Sequence, residues 1–154
     1  MCIDEIEAAV YTQLRPLGFR KYGRTLHRFV SGDLSQVIHF QCGLPSAGPA
    51  QQMWVNLGIR IPECDERTFS PSPPKRYYRE YNCTLRSRLG SIDGRQELCF
   101  DLRKQPSQLL NQILPDVLTK VLPVYDVLSS RKAILAHRCD YPHFDVMGRQ
   151  LILL

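Results

Sequence analysis

The chain has 154 residues, of which 44% are hydrophobic and 23% charged, with a formal net charge of +5 and a pI near 9.0. That is the length of one domain with enough apolar surface for a core, and no apolar run approaches the roughly 20 residues of a membrane span, so multi-domain and membrane-spanning readings fall away. The basic excess favours acidic partners, and the acidic start Met1-Cys2-Ile3-Asp4-Glu5 is unlike a signal peptide, so a cytosolic protein is expected.

Ile3, Ile6, Val10, Leu14 and Leu17 recur at helical spacing, with Asp4, Glu5 and Glu7 near the favourable end of the dipole and Pro16 and Gly18 at the exit. Two strand-like segments, from Arg24 to Val30 and from Leu34 to Gln41, flank a Ser31-Gly32-Asp33 turn and predict a hairpin. Facing Ile38 and Phe40 to the core puts His39 and Gln41 on the other side. After a loop from Leu44 to Gln52, Met53 to Ile61 alternate without a break: Met53, Val55, Leu57, Ile59 and Ile61 against Trp54, Asn56, Gly58 and Arg60. Strict alternation is the signature of a half-buried antiparallel strand. Pro62 to Asn82 reads as a long irregular loop, of the kind that is often functional.

Cys83, Leu85, Ser87 and Leu89 then alternate with Thr84, Arg86 and Arg88, and a Gly90-Ser91-Ile92-Asp93-Gly94 turn predicts a second hairpin returning through Gln96 to Leu102. Beyond Pro106 the period changes. Leu109, Ile113, Val117 and Val121, with Leu110, Leu114, Leu118 and Leu122 beside them, form a broad helical face that Pro115 and Pro123 should segment. Ser129 and Ser130 are placed to cap a final helix through about His137. The expected fold is a single two-layer α+β domain: an antiparallel sheet of about five strands built from hairpins, with amino- and carboxyl-terminal helices packed on one face. Its core should contain Val55, Leu57, Ile59, Leu85, Leu89, Phe100, Ile113 and Val117. The apolar run Leu151-Ile152-Leu153-Leu154 should dock on the body or meet another subunit.

The run L-G-F-R-K-Y-G-R-T-L-H-R-F at Leu17 to Phe29, then G-D-L-S-Q-V-I-H-F-Q, W-V-N-L-G-I at Trp54 to Ile59 and L-R-S-R-L-G at Leu85 to Gly90, resembles an uncharacterised bacterial family, domain of unknown function 4304. The resemblance covers roughly the first two thirds of the chain, and the helical end more loosely through Leu122-Pro123 and Ser129-Ser130. It implies a small bacterial α+β domain, brings no established activity, and transfers no catalytic residue.

The candidate chemistry lies on the sheet face turned away from the helices. If the two alternating strands share a sheet, that face carries Trp54, Asn56, Arg60, Arg86 and Arg88, a Trp beside arginines in the manner of an interaction surface. The bland alternative is that Arg stems cover apolar surface while their heads stay wet. The loop adds Lys75, Arg76 and Tyr78 in a K-R-Y-Y-R-E-Y run, the mixture that grips phosphate and stacks bases, although Glu80 weakens its field and such tyrosines commonly pin a loop to the body. His27 and His39 share a hairpin, where the choice is between facing one another and, the more ordinary reading, each being a surface or half-buried histidine with its own hydrogen-bond partner. His137, Cys139 and His143, with Asp140 between, look superficially like metal ligands, but no second cluster completes a known finger spacing and a plain tail explains them as well. Glu63, Asp65 and Glu66 read as a solvated acidic loop.

The six scattered cysteines contain no C-x-x-C and read as reduced thiols, with no base in sequence beside any of them. No dinucleotide, Walker, nucleophile-elbow or H-E-x-x-H pattern is present, so no cofactor is expected and an enzyme is the third reading. The first is a non-enzymatic cytosolic bacterial binding protein that meets an acidic protein partner through the open sheet face and the 62–82 loop, a body suited to toxin neutralisation or regulation. The second is a single-stranded nucleic-acid binder that uses the same groups.

Overall fold

The computed structural model describes residues 2–43, 51–66, 74–95 and 98–146. Most of the loop expected after Leu44, the 70–73 stretch, residues 96–97 and the apolar 151–154 run lie outside the described residues. Helix α1 (Cys2–Leu14) buries Ile3, Ile6, Val10 and Leu14, the stripe its sequence spacing requires. It ends in a tight turn over Arg15–Leu17 and leaves through Gly18, whose φ of 92° suits a residue without a Cβ.

One antiparallel sheet follows. Strands β1 (Arg20–Tyr22), β2 (Thr25–Val30), β3 (Leu34–Cys42), β4 (Gln52–Arg60), β5 (Leu85–Arg88) and β7 (Asp145–Val146) lie side by side in that order, and β6 (Phe100–Asp101) pairs β4 beyond the end of β5. The expected first hairpin is present, Val30 opposite Leu34, with Ser31 and Gly32 both at positive φ in its turn. The second is not. Leu89–Asp93 winds into a 3₁₀ turn closed by Gly94 at φ 81°, and β6 then meets Met53 and Gln52 on β4, leaving the far edge of β5 to β7. The reason is length: β4 has nine residues and β5 four, so the first part of β4 still presents unpaired backbone groups.

The loop expected after Pro62 begins as a short helix α2 (Pro62–Glu66). On the carboxyl-terminal side α3 (Pro106–Asp116) runs through a π turn (Val117–Val121) into α4 (Leu122–Val127). The proline-induced segmentation takes this form because Pro123 has no N–H and its ring crowds the carbonyl four residues back; the wider turn relieves that contact, and Leu122 N–H bonds Val117 O, five residues back. Helix α5 (Arg131–His137) starts at Ser130, whose Oγ accepts from Ala133 N–H at 3.1 Å, as its sequence predicts.

The helices cover one face of the sheet. Leu26, Ile38, Phe40, Val55, Leu57, Ile59 and Leu85 meet Ile6 and Val10 of α1 and Ile113, Val117 and Val121 of the long helical segment, all buried. Every residue predicted for the core is in it. Each such side chain contributes about 1.5–3 kcal/mol by leaving water.

Two polar groups thread this layer and fix its register. The buried Tyr125 hydroxyl sits within the β3–β4 ladder, donating to Val37 O at 2.5 Å and accepting from Gly58 N–H at 3.1 Å. Burial holds its phenol well above the usual tyrosine range, so it remains a donor. Gln36 donates to the Tyr125 and Leu128 carbonyls at 2.6 and 3.3 Å, satisfying the end of α4, and accepts from Arg28 at 2.8 Å.

Candidate functional site

Pairing across the sheet assembles the face away from the helices as the alternation implies. Trp54 lies opposite Gln41, Asn56 opposite His39 and Arg88, Gly58 opposite Val37 and Arg86, and Arg60 opposite Ser35; β2 adds Thr25, His27 and Phe29. The expectation that β4 and β5 share a sheet and bring Arg60, Arg86 and Arg88 together is met. The expectation that this face is open is not.

A strap formed by residues 74–84 lies across it. Tyr77 stacks on Tyr22 with ring centroids 4.4 Å apart and planes 6° from parallel. The Tyr78 ring, 7% exposed, sits 3.6 Å from the Arg60 guanidinium carbon. Glu80 takes Arg86 in a two-pronged bridge at 2.5 and 3.0 Å. The strap approaches so closely at Gly58 that an added Cβ would lie 2.5 Å from Cys83 Sγ and 2.8 Å from its Cβ. Gly58 is therefore required by the strap, not by a turn.

The predicted site residues consequently divide. Arg60 (9% exposed), Asn56 and Tyr78 are buried, and Arg86 is half-buried and charge-paired, so these four belong beneath or within the strap. The charged and polar groups on this face cannot close a layer by themselves, and the aromatic strap supplies cover for them. Lys75, Arg76 and Arg88 are exposed, and half-buried Trp54 has the Arg88 guanidinium 5.7 Å from its ring. Arg79 and Tyr81 were missed. Both face outward, Tyr81 at 62% exposure with Arg79 5.9 Å from its ring. Their signal was legible: Tyr78 and Glu80 are in and Arg79 and Tyr81 out, a two-residue alternation inside what reads as a charge run.

The face is electrostatically one-sided. Glu80, which in sequence counts against the basic run, is turned inward onto Arg86, and among the described residues none of Lys75, Arg76, Arg79 and Arg88 pairs with a carboxylate. Beneath the strap, burial and the neighbouring Arg60 charge push the His27 pKa down to about 4, so it is neutral near pH 7. His27 and His39 do not face one another. His39 Nδ1 pairs with Thr25 Oγ1 at 3.0 Å, and burial lowers its pKa as well. Asn56 donates to Gln41 at 2.7 Å.

The other candidates are placed elsewhere. His137 Nδ1 lies 3.2 Å from Asp140, Cys139 is exposed, and His143 lines a cavity of about 600 Å³ with Ile92 and Val124. Among the described residues no group of three or more His, Cys, Asp or Glu side chains is placed to hold a metal ion. Glu63 bonds Arg131, while the side chains of residues 65 and 66 lie outside the description. Among the described residues no helix is long and apolar enough to cross a membrane.

The fold and this face define a class: a two-layer α+β domain whose sheet buries an apolar face under helices and a polar, arginine-rich face under its own strap. The chain belongs to the family described as a domain of unknown function (DUF4304), whose model matches residues 10–126, from the first helix to the end of the long helical segment. No curated protein and no solved structure matches it.

Proposed function

We propose that the outer surface of the strap, continued by Trp54 and Arg88 at its edge, is a binding surface for an acidic protein partner, and that this cytosolic bacterial protein acts by binding and not by catalysis. The observation that carries this reading is the inward turn of Glu80. It removes the single carboxylate of the run and leaves Lys75, Arg76, Arg79 and Arg88 facing solvent beside Tyr81 and Trp54. Cations flanking partly exposed rings are the composition of interface hot spots, and a surface of one sign speeds encounter with an oppositely charged one. A toxin-neutralising or regulatory role fits such a surface on a small rigid body.

Trp54 is the only tryptophan, so its fluorescence reports the surface directly. An acidic peptide should shift its emission saturably, and the double variant Arg79→Glu, Arg88→Glu should abolish the shift while leaving the melting temperature nearly unchanged. Retained binding in that variant would refute this surface. The cations beside partly exposed rings, Arg79 5.9 Å from the Tyr81 ring and Arg88 5.7 Å from the Trp54 ring, favour single-stranded nucleic acid as the second reading. An oligonucleotide that binds with a logarithmic salt slope of about −0.7 per phosphate contacted, and outcompetes the peptide, would select it.

A further inference from the structure

A cavity of about 600 Å³ opens where the turn after β5 meets α4 and the chain leading into β7, with Ile92 and Val124 as its apolar floor. That is the size of a small-molecule site. Tyr141 and His143 wall it with rings 6.0 Å apart and 83° from parallel, so two nearly perpendicular planes make a corner. Ser91 and Asp140 supply the remaining polar groups.

These polar groups are idle. Among the described residues neither the Ser91 nor the Tyr141 hydroxyl has a hydrogen-bond partner, and His143 Nε2 is buried without one. His137 Nδ1 takes one oxygen of Asp140, at 3.2 Å, and leaves the other. A few convergent polar groups over an apolar floor are how a ligand site fixes orientation. The charge here is also of one sign. Among the described residues Asp140 is the only ionised group of the lining, because burial lowers the His143 pKa and keeps its ring neutral near pH 7. Arg95 and Lys120, beside the turn that carries Ser91 and Ile92, are both bound to Asp93 and Asp116 at 2.6–2.7 Å. Arg138 opens on a neighbouring cavity of about 150 Å³.

A carboxylate beside two aromatic rings, over an apolar floor, is the complement of an ammonium group carried on an apolar body. An anionic ligand would be repelled by Asp140, and one without a donor would leave its second oxygen unanswered. We propose that this cavity binds a small organic ammonium ion, with the free Asp140 oxygen accepting from its N–H groups, the Tyr141 and His143 rings against its charge, and Ile92 and Val124 beneath its apolar part. The Ser91 and Tyr141 hydroxyls are further acceptors for the same donors. No residue of the strap or of its outer surface takes part, so this site stands or falls separately from that surface.

The test is titration of the whole chain, at equal ionic strength, with probes of one shape and different charge: phenethylamine, phenethyl alcohol and phenylacetate. Binding is read by the His143 ring resonances and by the melting temperature. The amine should shift His143 saturably and raise the melting temperature, the alcohol should bind about tenfold more weakly, and phenylacetate should do neither. Asp140→Asn, at an exposed position that the fold tolerates, should weaken the amine about tenfold and leave the alcohol unchanged. Tyr141→Leu should weaken the amine more than the alcohol, because it removes a ring face and keeps an apolar contact. No saturable response to the amine, phenylacetate binding as tightly as the amine, or an unchanged amine affinity in Asp140→Asn would each overturn the assignment.

Discussion

The two faces of the sheet are closed by different physics. Toward the helices, Leu26, Ile38, Leu57 and Ile59 meet aliphatic side chains of α1 and the long helical segment; burial there is non-directional, and each residue adds its own increment. Toward the strap, Arg60, Arg86, His27, His39 and Asn56 are covered by Tyr77, Tyr78 and Glu80. On that side a contact holds only while its partner does, because a charge stripped of water is tolerated only when matched. The first face makes the domain. The second is held by matched polar and aromatic pairs.

The sharpest way to break the helix-side layer is Leu57→Asp, which places a carboxylate among fully buried aliphatic groups. The expected loss is more than about 5 kcal/mol, enough to remove the cooperative unfolding transition in urea. Next is acid, which acts on the strap side. The folded pKa of His27, near 4, lies below its ordinary value of 6.5, so between these values the unfolded chain binds more protons than the folded one. Stability is therefore full above about pH 6.5 and lost as pH falls toward 4, by up to roughly 3 kcal/mol. His27→Gln should remove its share of this dependence between pH 5 and 6.5 and leave the part due to His39 and His143, which burial also lowers.

Gly58→Ala separates strap from sheet, since the new methyl overlaps Cys83. It should cost about 2 kcal/mol and speed amide exchange in the strap while the helices keep their protection. Tyr125→Phe removes the hydroxyl between Val37 and Gly58 and leaves buried backbone groups unsatisfied, for a loss of about 1–2 kcal/mol measured by urea denaturation. Smallest in stability is reversal of the exposed Arg88, within about 0.5 kcal/mol, although binding at the outer surface should vanish.

Alternation was enough to assign the faces of β3, β4 and β5, because in a strand side chains take opposite sides whatever the surroundings, and the eight residues expected in the core are all buried. The helical rows and the Ser130 cap were legible for the same reason: they are local in sequence. The partner of the segment after Gly94 was not. Nothing in Leu98, Phe100 or Leu102 distinguishes the edge of β5 from that of β4, and the choice rests on which backbone groups remain unpaired once the longer strand is laid down. The cover over the arginine face was hidden too. The sequence identified Arg60, Arg86, Lys75 and Tyr78 as special, but whether a cation is solvent-facing depends on where a carboxylate about six residues away turns, as Glu80 does toward Arg86. Residue type and period determine which groups share a face, whereas the tertiary structure alone decides what lies over that face, because side-chain pairing across a loop is set by distance in space and not along the chain.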